Sequence, residues 1–441
     1  MSFFEKRKER YLYYFILSIA IKIIFDWLVL KCMPKNYMYS LTYDINYNVE
    51  TMVIAWGVFL LVLIFTFYYK VKKHNDSISL LLIVLFYLYY IPMNSISYLQ
   101  NRSLGFLILS SIFWCCLVFI SEVKLSFNGK KLQSDIQVDT GRLVNSKAFY
   151  LICVAMDVAC ILYVYKYNGL KLTLDIINVY DARASYVGTT SIFESILENF
   201  GGGFLITLSM YLGLKYRKYF LFIVGLFAQV ALFSAARQKG TLLIIGIVIA
   251  IFLLDKLKGL KMFKPIVPFG IFALCLVALI EYLVVGSNLI FTLFIRRLMF
   301  IPAWLNSLYY DFFQTHKLLL FSQDVFLVER LGVNVYDDSI LSMINNTYFS
   351  GYMASPNTGL FAEAYMHFGI VGTVVFPIMD IVLLRLLFGC MNHYDEGIRL
   401  LVVLEVAIMA VNLPLTSGIF SVTFYFIIPI TYLILILQKR Y

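Results

Sequence analysis

Residues 51–70 read TMVIAWGVFLLVLIFTFYYK. No charged side chain interrupts the run before Lys70. Wound as an α-helix at ~1.5 Å per residue, such a run covers the ~30 Å of bilayer hydrocarbon. It is one of many. Comparable apolar stretches cover 11–31, 78–97, 106–123, 148–167, 198–214, 219–235, 241–255, 265–285, 362–389, 400–415 and 419–437. The chain is 61% hydrophobic and only 14% charged, which does not suit a soluble domain. The expected fold is all-α: a polytopic integral membrane helix bundle of about 12 transmembrane helices, with 1–441 a single membrane domain.

Basic residues set the expected orientation. The first apolar run follows MSFFEKRKER, so the N-terminus is expected in the cytoplasm, on an uncleaved first helix. Alternating sides from there places both termini inside. It also puts about 22 of the 36 basic residues in inside segments, against about 10 outside. The net charge of +10 then reports topology and contact with anionic headgroups rather than nucleic acid. The seven cysteines lie mostly within apolar runs, and the four histidines are scattered without ligand spacing. They suggest neither a disulfide frame nor a metal site, and no cofactor is expected.

Two outside excursions break the alternation of short loops, at about 168–197 and 286–361. The larger is far beyond an ordinary connection. It opens with FTLFIRRLMFIPAWLNSLYYDFF, residues 291–313. Its aromatics suit short helices lying along the membrane interface, with Pro302 ending one of them and Trp304, Tyr309 and Tyr310 at headgroup level. The same composition also serves as a purely structural brace.

Outside cations work against the positive-inside bias, so each needs a reason. Arg183 lies in VYDARASY, Arg237 and Lys239 in SAARQKG, and Arg296 and Arg297 side by side in the long loop. The planar guanidinium fork binds phosphate oxygens bidentately, which makes an anionic ligand at the outer leaflet one coherent reason. Ion pairs with Asp181, Glu194 or Glu281, or snorkelling, are the structural alternative.

The late span is entered through SPNTGLFAEAYMHFGIVGT, residues 355–373. Asn357 is placed to cap a helix starting near Thr358. Glu363 and His367, four apart, share one face and form a candidate acid/base pair or a structural one. Gly369 and Gly372 would admit a close neighbour helix. Deeper ionisable groups must pair or face the bundle: Lys22 with Asp26, Asp157, Asp380 near Arg385, and Glu405. Asp157 and Glu405 have no evident local partner, and a proton path through them would suit a transporter.

Taken together, the polytopic pattern, VYDARASY, SAARQKG, IRRLMFIPAWLNSLYYDFF and NTGLFAEAYMHFGIVGT resemble the Wzy-type oligosaccharide repeat-unit polymerases, also called O-antigen polymerases. The specific part covers roughly 175–375. The resemblance implies a metal-independent glycosyltransferase of the bacterial cytoplasmic membrane, with a fold akin to GT-C and O-antigen ligase enzymes. Donor and acceptor would both be glycans on undecaprenyl pyrophosphate, and a chain-length regulator protein would be a further partner beside the membrane lipids. Arg183, Arg237, Lys239, Arg296 and Arg297 would bind the pyrophosphate. Arg237 and Glu363 would be catalytic, the latter as base, and Asn357, Tyr365 and His367 would contact substrate. In the related ligases a loop histidine often precedes the late span; ASPNTG stands in its place here, which favours polymerase over ligase. A flippase of the lipid-linked unit is the alternative from another class, and the outer arginines and long outer loop argue against it.

Overall fold

The computed structural model describes residues 7–33, 45–70, 76–123, 138–168, 205–236, 239–257, 263–323, 334–349, 356 and 358–413. Helices make up the described residues, with no strand among them. Five are long and apolar enough to cross a membrane: Val49–Lys70, Ser77–Leu99, Lys147–Lys166, Phe263–Val285 and Leu360–Met391. Leu104–Ile120 and Tyr219–Ser234 are shorter apolar helices. Large apolar side chains point outward from them: Val53, Leu61 and Ile64, Ile108 and Ile112, Val277, Ile280 and Leu283. Such apolar outer stripes are the reverse of a water-soluble helix and suit contact with lipid.

The chain divides into two compact units. Unit 1 comprises Met1–Gly129, Met262–Leu387 and Val406–Ile427. Its helices are α1 (Arg7–Cys32), α2 (Val49–Lys70), α3 (Ser77–Leu99) and α4 (Leu104–Ile120), with α5 (Phe263–Val285) after the intervening unit. Helix α3 is central: nearly all its side chains are buried. Hydrogen bonds lock its neighbours within the apolar interior, from Asn94 Nδ2 to Ala55 O (3.0 Å) and from Trp114 Nε1 to Thr66 Oγ1 (2.9 Å). Interhelical polar contacts of this kind act as the glue where no water competes.

Contacts within each unit join the helix ends that alternation places on one side. In unit 1, Lys70 pairs with Glu122 at 2.7 Å, Arg385 donates to the carbonyls of Ile120 and Ser121 at 3.1 Å, and Tyr13 donates to Pro265 O at 2.7 Å. All three link ends expected inside. Asn48 donates to Asn101 at 2.9 Å and Arg102 pairs with Asp311, both between ends expected outside. In unit 2 (Lys130–Lys261, Phe388–Glu405 and Ile428–Tyr441), Lys215 bridges Asp255 at 2.9 Å and Asp395 at 3.3 Å, again at ends expected on one side.

The long outer segment departs from the expectation of an interfacial helix. A π-helical run, Phe291–Phe300, passes directly into an α-helix, Ile301–Thr315; together they form α6. Trp304, Tyr309 and Tyr310 are buried in unit 1, not held at its surface. Trp304 meets Phe349, Tyr309 donates to Pro356 O at 2.8 Å, and Tyr310 packs on Phe106 and Tyr365. Pro302 does not end the helix either. It sits in the first turn of the α part, just after the π run. A proline removes one i→i−4 bond and its ring crowds the carbonyl four residues back. The wider π turn absorbs both, and Ile301 N–H bonds to Arg296 O, five back. Helix α3 repeats the device: Phe86–Tyr90 is π-helical, Ile91 N–H bonds to Phe86 O, and Pro92 follows. The two π runs pack against each other.

The second departure lies in α7, Leu360–Met391. It is broken at Gly369, whose φ of 56° and ψ of −132° are barred to side-chain-bearing residues. A short piece, 360–368, therefore precedes the long one, 370–391, and the chain bends sharply between them. A Cβ on Gly372 would lie 1.9 Å from Ala364 O. The close neighbour that this glycine admits is thus the chain's own preceding turn. Gly372→Ala should cost at least about 3 kcal/mol, since no rotamer change relieves a clash with backbone. Measured as folded protein in membranes, it should drop sharply, whereas Gly270→Ala, with nothing within 4 Å, should match the parent. Equal levels of the two would show that the bend is not required.

Candidate functional site

Five of the residues singled out from sequence fall among those described, all in unit 1: Arg296, Arg297, Glu363, Tyr365 and His367. Arg183, Arg237 and Asn357 lie outside the described residues, as does the side chain of Lys239.

The short piece of α7 begins deep in unit 1. Its first free N–H groups need acceptors. Phe361 N–H is taken by Tyr89 Oη at 2.8 Å and Ala362 N–H by Asn306 Oδ1 at 2.9 Å. Tyr89 in turn donates to Asn306 Oδ1 at 2.8 Å, and Asn306 Nδ2 donates to Pro302 O at 2.7 Å. Both acceptors belong to the segments around the two Ile-Pro steps. Tyr89 lies midway along α3, so the N-terminus of the short piece sits at mid-span depth. These N–H groups are capped by residues distant in sequence, not by the local turn.

Glu363, in the first turn of that piece, is fully buried. Asp380, on the long piece, is within electrostatic reach of it. Asp380 is also buried, and neither of its oxygens has a hydrogen-bond partner among the described residues. Arg385 does not neutralise it; that guanidinium is committed to the carbonyls at the end of α4. His367 does not bond to Glu363. Its Nδ1 accepts from Phe321 N–H at 3.2 Å, which leaves the proton on Nε2, and its ring stacks on Phe376. The expected Glu363–His367 acid/base pair is therefore replaced by two buried residues with separate surroundings. Tyr365 lies 4.6 Å from Tyr310, ring to ring.

Arg296 is 6% exposed, with Nε directed at Thr292 O at 3.4 Å; Arg297 follows it on the same π run. Lys22 and Asp26 do pair, at 3.5 Å, and are enclosed further by Ser95, which accepts from Lys22 at 2.7 Å, and by Tyr98 and Trp56, over whose rings the ammonium sits. In unit 2, Asp157 is buried with Ser209 nearby but short of good hydrogen-bond geometry, and Glu405 accepts from Thr207 at 3.4 Å.

Sequence reasoning missed Arg102 and Asp311. Arg102 Nη1 lies 2.5 Å from Asp311 Oδ2, and Nη2 donates to Gln100 at 3.2 Å. The pair is partly exposed, at the end of unit 1 expected outside. Burial pushes the Asp311 carboxyl above its ordinary range, with Arg102 opposing, and Tyr348 beside them is raised to about 12, by burial first and then by Asp311. The positive-inside argument, applied to the short loop LQNRSLG, would have found Arg102. No family model, curated protein or solved structure matches the chain.

Proposed function

We propose that the chain is an oligosaccharide repeat-unit polymerase: a twelve-span protein of the bacterial cytoplasmic membrane, both termini cytoplasmic, acting at the outer face. The observation that carries this reading is the course of α6. A helix that opens a long outer segment enters the bundle and takes Arg296 to a buried position. A buried cation at such depth costs several kcal/mol unless it serves a site or a partner. An anionic lipid pyrophosphate is such a partner.

In this reading the arginines hold the pyrophosphate of the donor lipid. The acceptor sugar hydroxyl attacks the anomeric carbon, the bond to the pyrophosphate oxygen breaks, and its electron pair leaves with undecaprenyl pyrophosphate. Fixed guanidinium groups stabilise the charge that develops. Glu363 receives the hydroxyl proton. Deleting the gene and resolving surface glycan by length tests the reading: the ladder should collapse to a single repeat unit. Loss of all surface glycan would instead indicate a ligase or a flippase.

A further inference from the structure

The Arg102–Asp311 pair is built in a way that a simple brace between helices does not need. Asp311 commits Oδ2 to Arg102, while Oδ1 accepts no hydrogen bond among the described residues and is not sealed from solvent. The Arg102 fork is held by Gln100 from behind. The Asp311 carboxylate is within electrostatic reach of the Tyr348 and Tyr365 hydroxyls, and Tyr310 closes the inner wall. The side chains of Arg102 and Asp311 remain 18% and 26% exposed.

This arrangement selects by charge. An anion approaching Arg102 meets the Asp311 carboxylate, and a cation approaching Asp311 meets the guanidinium. A neutral group with adjacent hydroxyls satisfies both, since each hydroxyl donates to an acceptor and accepts from a donor. Position adds to this. Arg296 and Asp311 stand on the same helix, fifteen residues apart, or roughly 22 Å at ~1.5 Å per residue. That is the reach of several linked sugars rather than of one.

We propose that Arg102 and Asp311 form a glycan subsite that binds vicinal hydroxyls of a sugar in the repeat unit, remote from its pyrophosphate. This rests on the polymerase reading and adds to it a second hold on the substrate: arginines at the lipid end and a neutral-sugar site farther along the glycan. The subsite positions substrate and takes no part in bond making.

The test uses the full-length protein in nanodiscs and two probes, undecaprenyl pyrophosphate and the same lipid carrying one complete repeat unit. The parent should bind the glycan-bearing lipid more tightly, by about tenfold or more, as expected for a charge-assisted hydrogen bond. Asp311→Asn should bring the two affinities together without changing that for the bare lipid. Arg102→Gln should weaken the surplus, and the double variant should not restore it. A surplus that persists in Asp311→Asn, or returns in the double variant, would reduce the pair to a structural brace. If the parent binds neither lipid, the polymerase reading itself fails, and the subsite with it.

Discussion

An Arg237→Ala protein is expected to reach the membrane in normal amount and to make no glycan longer than one repeat unit. The proposed leaving group carries charge before the reaction and more as the anomeric bond breaks. Losing one fixed donor to such a group costs roughly 10²–10³ in turnover at an oxyanion-type site. For a processive product that loss empties the ladder. Arg237→Lys should rescue in part, because a point charge keeps the attraction but not the two-pronged geometry. Arg296→Ala is the companion variant. Its side chain is buried, so abundance must be measured beside the ladder. Full-length polymer in Arg237→Ala would remove that residue from the mechanism, whatever Arg296 does.

Glu363→Gln is expected to lower turnover by roughly 10²–10⁴, the range for loss of a general base, with membrane abundance unchanged. Glutamine keeps the shape and can still hydrogen-bond, so the short helix it sits on should hold. The prediction is sharpened by Asp380, whose own buried carboxyl lies within electrostatic reach. Asp380→Asn relieves repulsion between the two carboxylates and should leave the fold intact. If Glu363 only helps to seat the short helix, Glu363→Gln will cost far less activity, and abundance will fall in step with it. Near-normal polymer at normal abundance would end its candidacy as base.

What could be read from the chain alone followed from the length of its apolar runs. Val49–Lys70 and Phe263–Val285 lie within a few residues of the stretches expected. The break at Gly369 could not be read that way. MHFGIVGT is continuous in hydropathy, and the need for a positive φ appears only once Ala364 and Gly372 must touch. Helix α6 was misplaced for a related reason. Aromatics beside a few polar groups suit a membrane interface and a protein interior equally. The choice was made by Phe106, Phe349 and Tyr365, none of them close in sequence. For the candidate site, the sequence marked Glu363 and the Arg296–Arg297 pair. It did not mark Tyr89 or Asn306, because an uncharged residue inside an apolar run carries no sign of its purpose. Arg102 was legible and was passed over.

The paired π runs have a consequence for how this chain can vary. Each π turn holds one more residue than an α turn, so a single deletion within 291–300 or 86–90 could be taken up by relaxing to α geometry. The helix would survive, but everything beyond the deletion would be turned by about 100°, the angle between successive residues at 3.6 per turn. Asn306 would then leave Ala362, and Asp311 would leave Arg102. Substitutions along these stretches can be absorbed one by one, whereas a change in residue count cannot. The tally of residues between Phe291 and Asp311 is therefore under tighter constraint than most of their identities.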